Sequence, residues 1–334
     1  MKNLSKIFLL LVIAFTISCK KDNQESKFDK AKKITEFKNT KFSPTLENEI
    51  YKESNSIYCV TLLYAWNEIT DEIGKPWGID KKDNDLILLS KSNTYKNVLD
   101  KNEYFADVEI IDNNITAKAF FKKSLPFELK LNSYDKKLKF DNVPVKSFGV
   151  NGWDFEISDC VSILYYKNDD NFIIKLRPTD ITHEIILFKT EENYKNLNEM
   201  NQSLLKLTDV STEQKQNWRF NFLDDDIIII PKFNFNIEKN YETMEGKILN
   251  GFENKFRIET AYQRTAFVLD ENGAEIESEV EYAVEASESI GEIEKPKPKK
   301  LIFDKPFYVL LRKKGAENPY FALWNVNSEL LVKE

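Results

Sequence analysis

Ile227-Ile228-Ile229-Ile230-Pro231-Lys232-Phe233-Asn234-Phe235 is the stretch on which the fold turns. An apolar, β-branched run entered from Asp226 and broken by a proline reads as strand. Working outward, residues 218–222 upstream read as a further strand. So do 105–111, 115–121, 138–140, 143–150, 160–166, 172–176 and 185–188, short runs bounded by Asn, Asp, Pro or Gly. Asn168-Asp169-Asp170 joins two of them as a hairpin. Helical spacing marks 57–72, opened by Ser54-Asn55-Ser56 with Val60, Leu63, Tyr64 and Asn67 on one face. A shorter helical segment is expected at 46–52, and further helices at 191–207 and 238–249. Helices and strands do not alternate strictly, which predicts an α+β fold with large, mainly antiparallel sheets and few helices.

Composition narrows the function. The chain has 334 residues, 42% of them hydrophobic, with 48 basic against 55 acidic side chains and a net charge of −7. That is enough apolar material for a large core, and the acidic balance argues against nucleic acid as a partner. None of the nine glycines forms a phosphate-cradling motif, and the single histidine, His183, removes most Ser-His-Asp and His-rich zinc schemes. No enzyme, cofactor or metal site is expected. Asp224-Asp225-Asp226 lacks the spaced oxygens of a calcium loop and reads as a charged turn. The five tryptophans, Trp66, Trp77, Trp153, Trp218 and Trp324, lie in or beside apolar runs and read as core. His183 reads as a half-exposed strand residue.

The N-terminus is an export signal: Lys2 and Lys6, an apolar run over 7–17, then Thr16-Ile17-Ser18-Cys19. It resembles a bacterial lipoprotein signal with Cys19 as the lipid-bearing residue, although Thr16 stands where a larger aliphatic is usual. Removing residues 1–18 takes Lys2 and Lys6 and moves the net charge from −7 to −9. Residues 19–41, polar and charged, are expected to form a flexible tether to the membrane. Cys59 and Cys160 would then sit in an oxidising compartment, where a disulfide and two buried thiols are equal alternatives.

From Ile227 to the C-terminus the residues resemble the serpin family. The apolar run followed by Pro231-Lys232-Phe233 is similar to the serpin strand that ends in Leu-Pro-Lys/Arg-Phe. Tyr262-Gln263-Arg264-Thr265-Ala266-Phe267-Val268-Leu269-Asp270 looks like the strand that leads through an acidic-Gly hinge into the reactive-centre loop. Phe303-Asp304-Lys305-Pro306-Phe307 and the apolar runs after it look like the closing hairpin. Ala119-Phe120-Phe121-Lys122 and Leu125-Pro126-Phe127 resemble the strand after which serpins place a bulky residue and Pro-Phe. The resemblance implies one serpin-like domain over 42–334, with the loop at 274–300 and several helices lost between Leu62 and Phe105. It also implies an extracellular or periplasmic protease as partner.

Inhibitory serpins insert the cleaved loop into a sheet, which demands small residues at the hinge. The implied hinge here is Glu271, Gly273, Ala274, Glu275, Ile276 and Ser278, of which Ile276 and the neighbouring Glu277 and Glu279 are unusual. Alternation is nevertheless strict: Ala274, Ile276, Ser278, Val280, Tyr282 and Val284 share one face, and Glu275, Glu277, Glu279 and Glu281 the other. The implied protease-facing residues are Tyr282, Ala283, Val284, Glu285, Ala286, Ser287, Glu288 and Ser289. Residues 270–294 hold ten acids and no base, which disfavours trypsin-like enzymes. Bulky Ile276 and Tyr282 are expected to slow insertion by overpacking, giving the fold without efficient inhibition.

Overall fold

The structure is a computed structural model that describes residues 28, 30–211, 213–252, 254–276 and 297–334. The chain opens with β1 (Lys32–Lys33) and β2 (Thr40–Phe42), then β3 (Asn55–Cys59) runs into helix α1 (Thr61–Ile73), and α2 (Asn84–Lys91) follows. β4 (Tyr104–Ile111) and β5 (Asn114–Phe121) make a hairpin that β6 (Lys123–Pro126) extends, and β7 (Asn132–Phe140) and β8 (Val143–Asn151) make the next. Both hairpins turn on two residues with positive φ, Asp112-Asn113 and Asp141-Asn142, the geometry that matches strand twist and that Asn and Asp tolerate best.

After α3 (Phe155–Ser158) come β9 (Val161–Asn168), β10 (Asn171–Leu176) and β11 (His183–Lys189), then α4 (Leu197–Thr208). β12 (Ile227–Pro231) and β13 (Phe233–Asn240) form next, followed by β14 (Ile248–Asn250), β15 (Lys255–Thr260), β16 (Tyr262–Asp270) and β17 (Gly273–Ile276). β18 (Lys300–Ile302), β19 (Phe307–Lys313) and β20 (Phe321–Asn325) complete the fold.

These strands form four sheets, in the orders β1-β13-β16-β17-β6, β2-β3-β20-β19-β11-β10-β9, β18-β12-β8-β7 and β14-β15-β5-β4. Most pairings are antiparallel, so the expected α+β class with large antiparallel sheets and few helices is what the chain adopts. β11 and β19 lie in the interior of the seven-stranded sheet, and Ile185–Phe188 and Phe307–Leu311 have no exposed surface. Ring pairs carry the core across to the five-stranded sheet: Phe267 stacks on Phe321 at 4.6 Å between centroids, and Phe233 meets Phe307 edge to face at 5.9 Å. Each such pair contributes ~0.5–1.5 kcal/mol beyond its area burial.

Several elements depart from the sequence expectation. Ser54-Asn55-Ser56 does not cap a helix. Asn55 is a buried strand residue whose side chain bonds Thr40, Asn327 and the Val326 amide, and the helix starts at Thr61. Residues 46–52 are turns and bends rather than helix. The 191–207 helix starts at Leu197, because Asn196 caps it by accepting from the Glu199 amide. The region 238–249 is not helical: β13 keeps pairing with β16 to Asn240, and positive φ at Gly246 turns the chain into β14. Trp218–Phe220 is a single 3-10 turn rather than a strand. Lys32–Lys33 pair with β13 and Thr40–Phe42 with β3, so these described residues of the expected 19–41 tether belong to sheets. Cys59 and Cys160 are buried and unpaired.

Candidate functional site: a slot one strand wide

β16 ends at Asp270, whose carboxylate receives the Asn272 amide at 2.8 Å and tightens the turn into β17. Beside that turn the Glu271 carboxylate pairs with Lys232 at the β12–β13 junction. Burial pushes the Glu271 carboxyl up, but the lysine and backbone bonds outweigh it and hold the carboxyl below its usual range. Gly273 has φ +138°, and a Cβ there would lie 2.4 Å from the Leu125 carbonyl, so only glycine lets β17 approach β6 this closely. Ala274 is 2% exposed and sits between Leu269 and Leu125. Glu275 lies between Val268 and Ser124, with its face to the outside. The hinge residues from Glu271 to Ile276 are thus brought together as a turn and a strand wedged between β16 and β6.

Below β17 the two flanking strands do not pair with each other until β15 meets β5, where Arg257 faces Asn114, Ile258 faces Ile115 and Thr260 faces Thr116. Thr260–Thr116 and the β17-bridged couple Val268–Ser124 keep the same offset along the chain. The gap thus narrows from one strand's width at β17 to direct pairing at Thr260–Thr116, below which a register shift separates that couple from Ile258–Ile115. A cavity of about 360 Å³ opens there. Small residues line its walls, Ala117 and Ala119 on β5 and Ala261 beside β16, and α1 floors it with Leu62, Ala65 and Trp66. Gln263 ties the wall to the floor: its amide donates to the Cys59 carbonyl at 3.2 Å and to Thr61 Oγ1 at 3.3 Å, and its carbonyl accepts from the Tyr241 hydroxyl at 2.7 Å.

The outer rim is different in kind. Lys118, Lys122 and Arg264 are exposed along it, together with Phe120 (59% exposed) and Tyr262 (48%). The direct β4–β5 hairpin leaves no chain between these two strands to lie over the sheet.

Lys299 is fixed just before β18 begins. Its ammonium is 2.6 Å from Asp226 Oδ2, both side chains fully buried, and its amide donates to Asp226 Oδ1 at 2.7 Å. The Trp218 ring lies 5.1 Å from the same ammonium. Asp226 is thus committed to a lysine, and the Asp224–Asp226 run is the turn that delivers it.

Behind β6, Lys123 bonds Glu103 at 2.9 Å, and Glu103 also receives Lys313 and faces His183 Nε2 at 3.1 Å. Burial raises the Glu103 carboxyl, but the Asp100 amide and the lysines overcome it and bring it down to about 2. His183 is 2% exposed rather than half-exposed, because it sits under Tyr320 in the core. Burial there pushes its pKa down.

Of the tryptophans, Trp66 is core, whereas Trp77 (66%), Trp153 (59%) and Trp218 (37%) are exposed. Sequence reasoning missed the Lys299–Asp226 pair and the cationic rim. The rim was readable from strand parity, since Lys118, Lys122 and Arg264 alternate with inward residues. Ser278, Tyr282, Ala283, Val284, Glu285, Ala286, Ser287, Glu288, Ser289 and Cys19 lie outside the described residues.

Among the described residues β16, β17, β18 and the closing hairpin β19–β20 follow one another in the order the serpin resemblance implies. No protein-family model matches the chain. No curated protein matches it either. Among solved structures, a serine protease inhibitor of Manduca sexta, serpin-12, is similar with 12% identity and a TM-score of 0.38, over 64% of this chain and 56% of that one. Thyroxine-binding globulin in complex with thyroxine is similar with 11% identity and a TM-score of 0.34, over 64% of this chain and 55% of that one. The chain thus spans little more than half the length of these two structures.

Proposed function

We propose that this chain is an exported, serpin-like protein, anchored by lipid on Cys19 at the outer membrane or cell surface. It presents residues 277–297 to an extracellular or periplasmic protease, and cleavage lets the strand begun by β17 extend down the slot. It performs no catalysis. The observation that carries this reading is the gap below Ile276.

Register arithmetic supports it further. Continuing β17 downward sets Glu277 beside Lys122, Glu279 beside Arg264 and Glu281 beside Lys118, each outward acid next to one cation. Such cross-strand pairs are worth ~0.2–1 kcal/mol each. On the inward side Ser278 falls between Thr265 and Phe121, Val280 between Gln263 and Ala119, and Tyr282 between Ala261 and Ala117. The largest inserted side chain meets the two smallest neighbours, which offsets the overpacking expected for Tyr282. The next residue meets Thr116 and Thr260, already paired, so extension stops at 282 unless β5 and β15 part. A protease attached to the loop would be left part-way down the sheet. The proposed role is therefore a cleavage-responsive surface protein rather than an efficient trap.

Incubation with a panel of extracellular proteases, followed by a denaturing gel, tests the role. Loop cleavage without a covalent adduct is expected, and an SDS-resistant adduct near unit stoichiometry would overturn it. For the anchor, a Cys19→Ser chain should leave the detergent phase, and continued partitioning would refute lipidation.

A further inference from the structure

We propose that the slot cavity is also a binding site for a medium-chain carboxylate, with the chain buried under the sheet and the anion at Arg264. The cavity's roughly 360 Å³ falls in the ~300–1,000 Å³ range of small-molecule sites. Much of its lining is aliphatic: Leu62, Ile69, Leu86, Leu89 and Met244. Most proteins close such a volume, because interiors pack to near-crystalline density and an apolar void forfeits the dispersion contacts of everything lining it.

Two polar features give the cavity an orientation. Trp66 is 6% exposed, and its indole Nε1–H, buried in the wall, has no acceptor among the described residues. A buried donor without a partner is costly and uncommon, and one oxygen of the carboxylate head, the other being held at Arg264, would satisfy it. At the mouth, Arg264 is the one charged side chain among the lining residues, and Asn236 Oδ1 steadies its Nε at 2.8 Å. The aromatic side chains of Phe120 and Tyr262 are exposed beside it. An apolar interior, an inward donor and a single cation at the opening fit an amphipathic anion, and a carboxylate head suits the guanidinium fork.

This site stands on described residues and does not require that the loop inserts. Calorimetry with decanoate on the full chain tests it, with methyl decanoate and decanol as uncharged controls. Saturable decanoate binding is expected, weakened about tenfold in Arg264→Gln by loss of a charge-assisted bond and measurably in Trp66→Phe, which keeps the wall but not the donor. Ala119→Leu, which fills the cavity, should abolish it. Absence of decanoate binding would overturn the proposal, as would equal affinity for the ester or alcohol, or unchanged binding in both Ala119→Leu and Trp66→Phe. Melting of loop-cleaved protein without ligand reports on strand extension separately, so either idea can fail alone.

Discussion

Lys299 and Asp226 are the two residues most exposed to failure. A fully buried ammonium and carboxylate sustain each other only while both are present, at 2.6 Å and with no solvent access. Asp226→Asn should therefore destabilise the protein by about 3–5 kcal/mol, whereas replacing both by apolar residues of similar volume should come out near neutral. Equal losses for single and double variants in denaturant melts would show that the pair is incidental. His183 gives a second test at this scale, made simple because it is the chain's one histidine. Burial lowers its pKa below the ordinary 6.5, with Lys123 adding to the effect and Asp180 and Glu103 opposing it. Unfolded chain then holds more protons than folded chain below about 6.5, so this residue withdraws stability as pH falls through that value. A ring-proton titration in NMR should show a midpoint below 6.5, and a midpoint at or above it would contradict the buried placement.

At the scale of elements, β17 depends on one glycine. Gly273→Ala meets the Leu125 carbonyl and a disfavoured φ together, and should cost about 1–3 kcal/mol while loosening β17 from β6. Faster amide exchange confined to 273–276 and 123–126 is the expected signature. Unchanged exchange there would mean that β17 is not wedged between its neighbours. The closing hairpin was legible from its unbroken apolar runs, and Leu310→Ala in β19 should cost ~2–5 kcal/mol by the cavity argument. A thermal shift under about a degree would place it on the surface instead. The hairpin strands, β12 and β16 could be read because a period of two or a solid apolar run survives any tertiary context. Residues 54–56 and 238–249 could not. Ser54-Asn55-Ser56 carries the local chemistry of a cap, and only the contact of Asn55 with residues 327 and 40 makes it a strand. The slot was legible in part: of the alternating residues 274–284, those described, 274–276, form β17, but the gap below them depends on β5 and β15 pairing, which no local pattern reveals.

At the scale of the whole molecule the flanking strands have a closed lower part, where β15 pairs with β5, and an upper part held apart by β17. Among the described residues no strand lies between β16 and β5 below Ile276, an arrangement that leaves room for a more stable state. Residues 270–294 hold no Lys or Arg, which disfavours cleavage there by enzymes that need one. The measurement that bears most directly on this is melting of the protein before and after a single cut at an engineered site within 286–289. Each added strand residue contributes backbone bonds worth ~0.5–1.5 kcal/mol, so extension to 282 should raise Tm by roughly 10–20 °C, with new exchange protection at 117–122 and 261–266. An unchanged or lower Tm, with those amides exchanging as before, would contradict the claim that the slot is built to receive the loop.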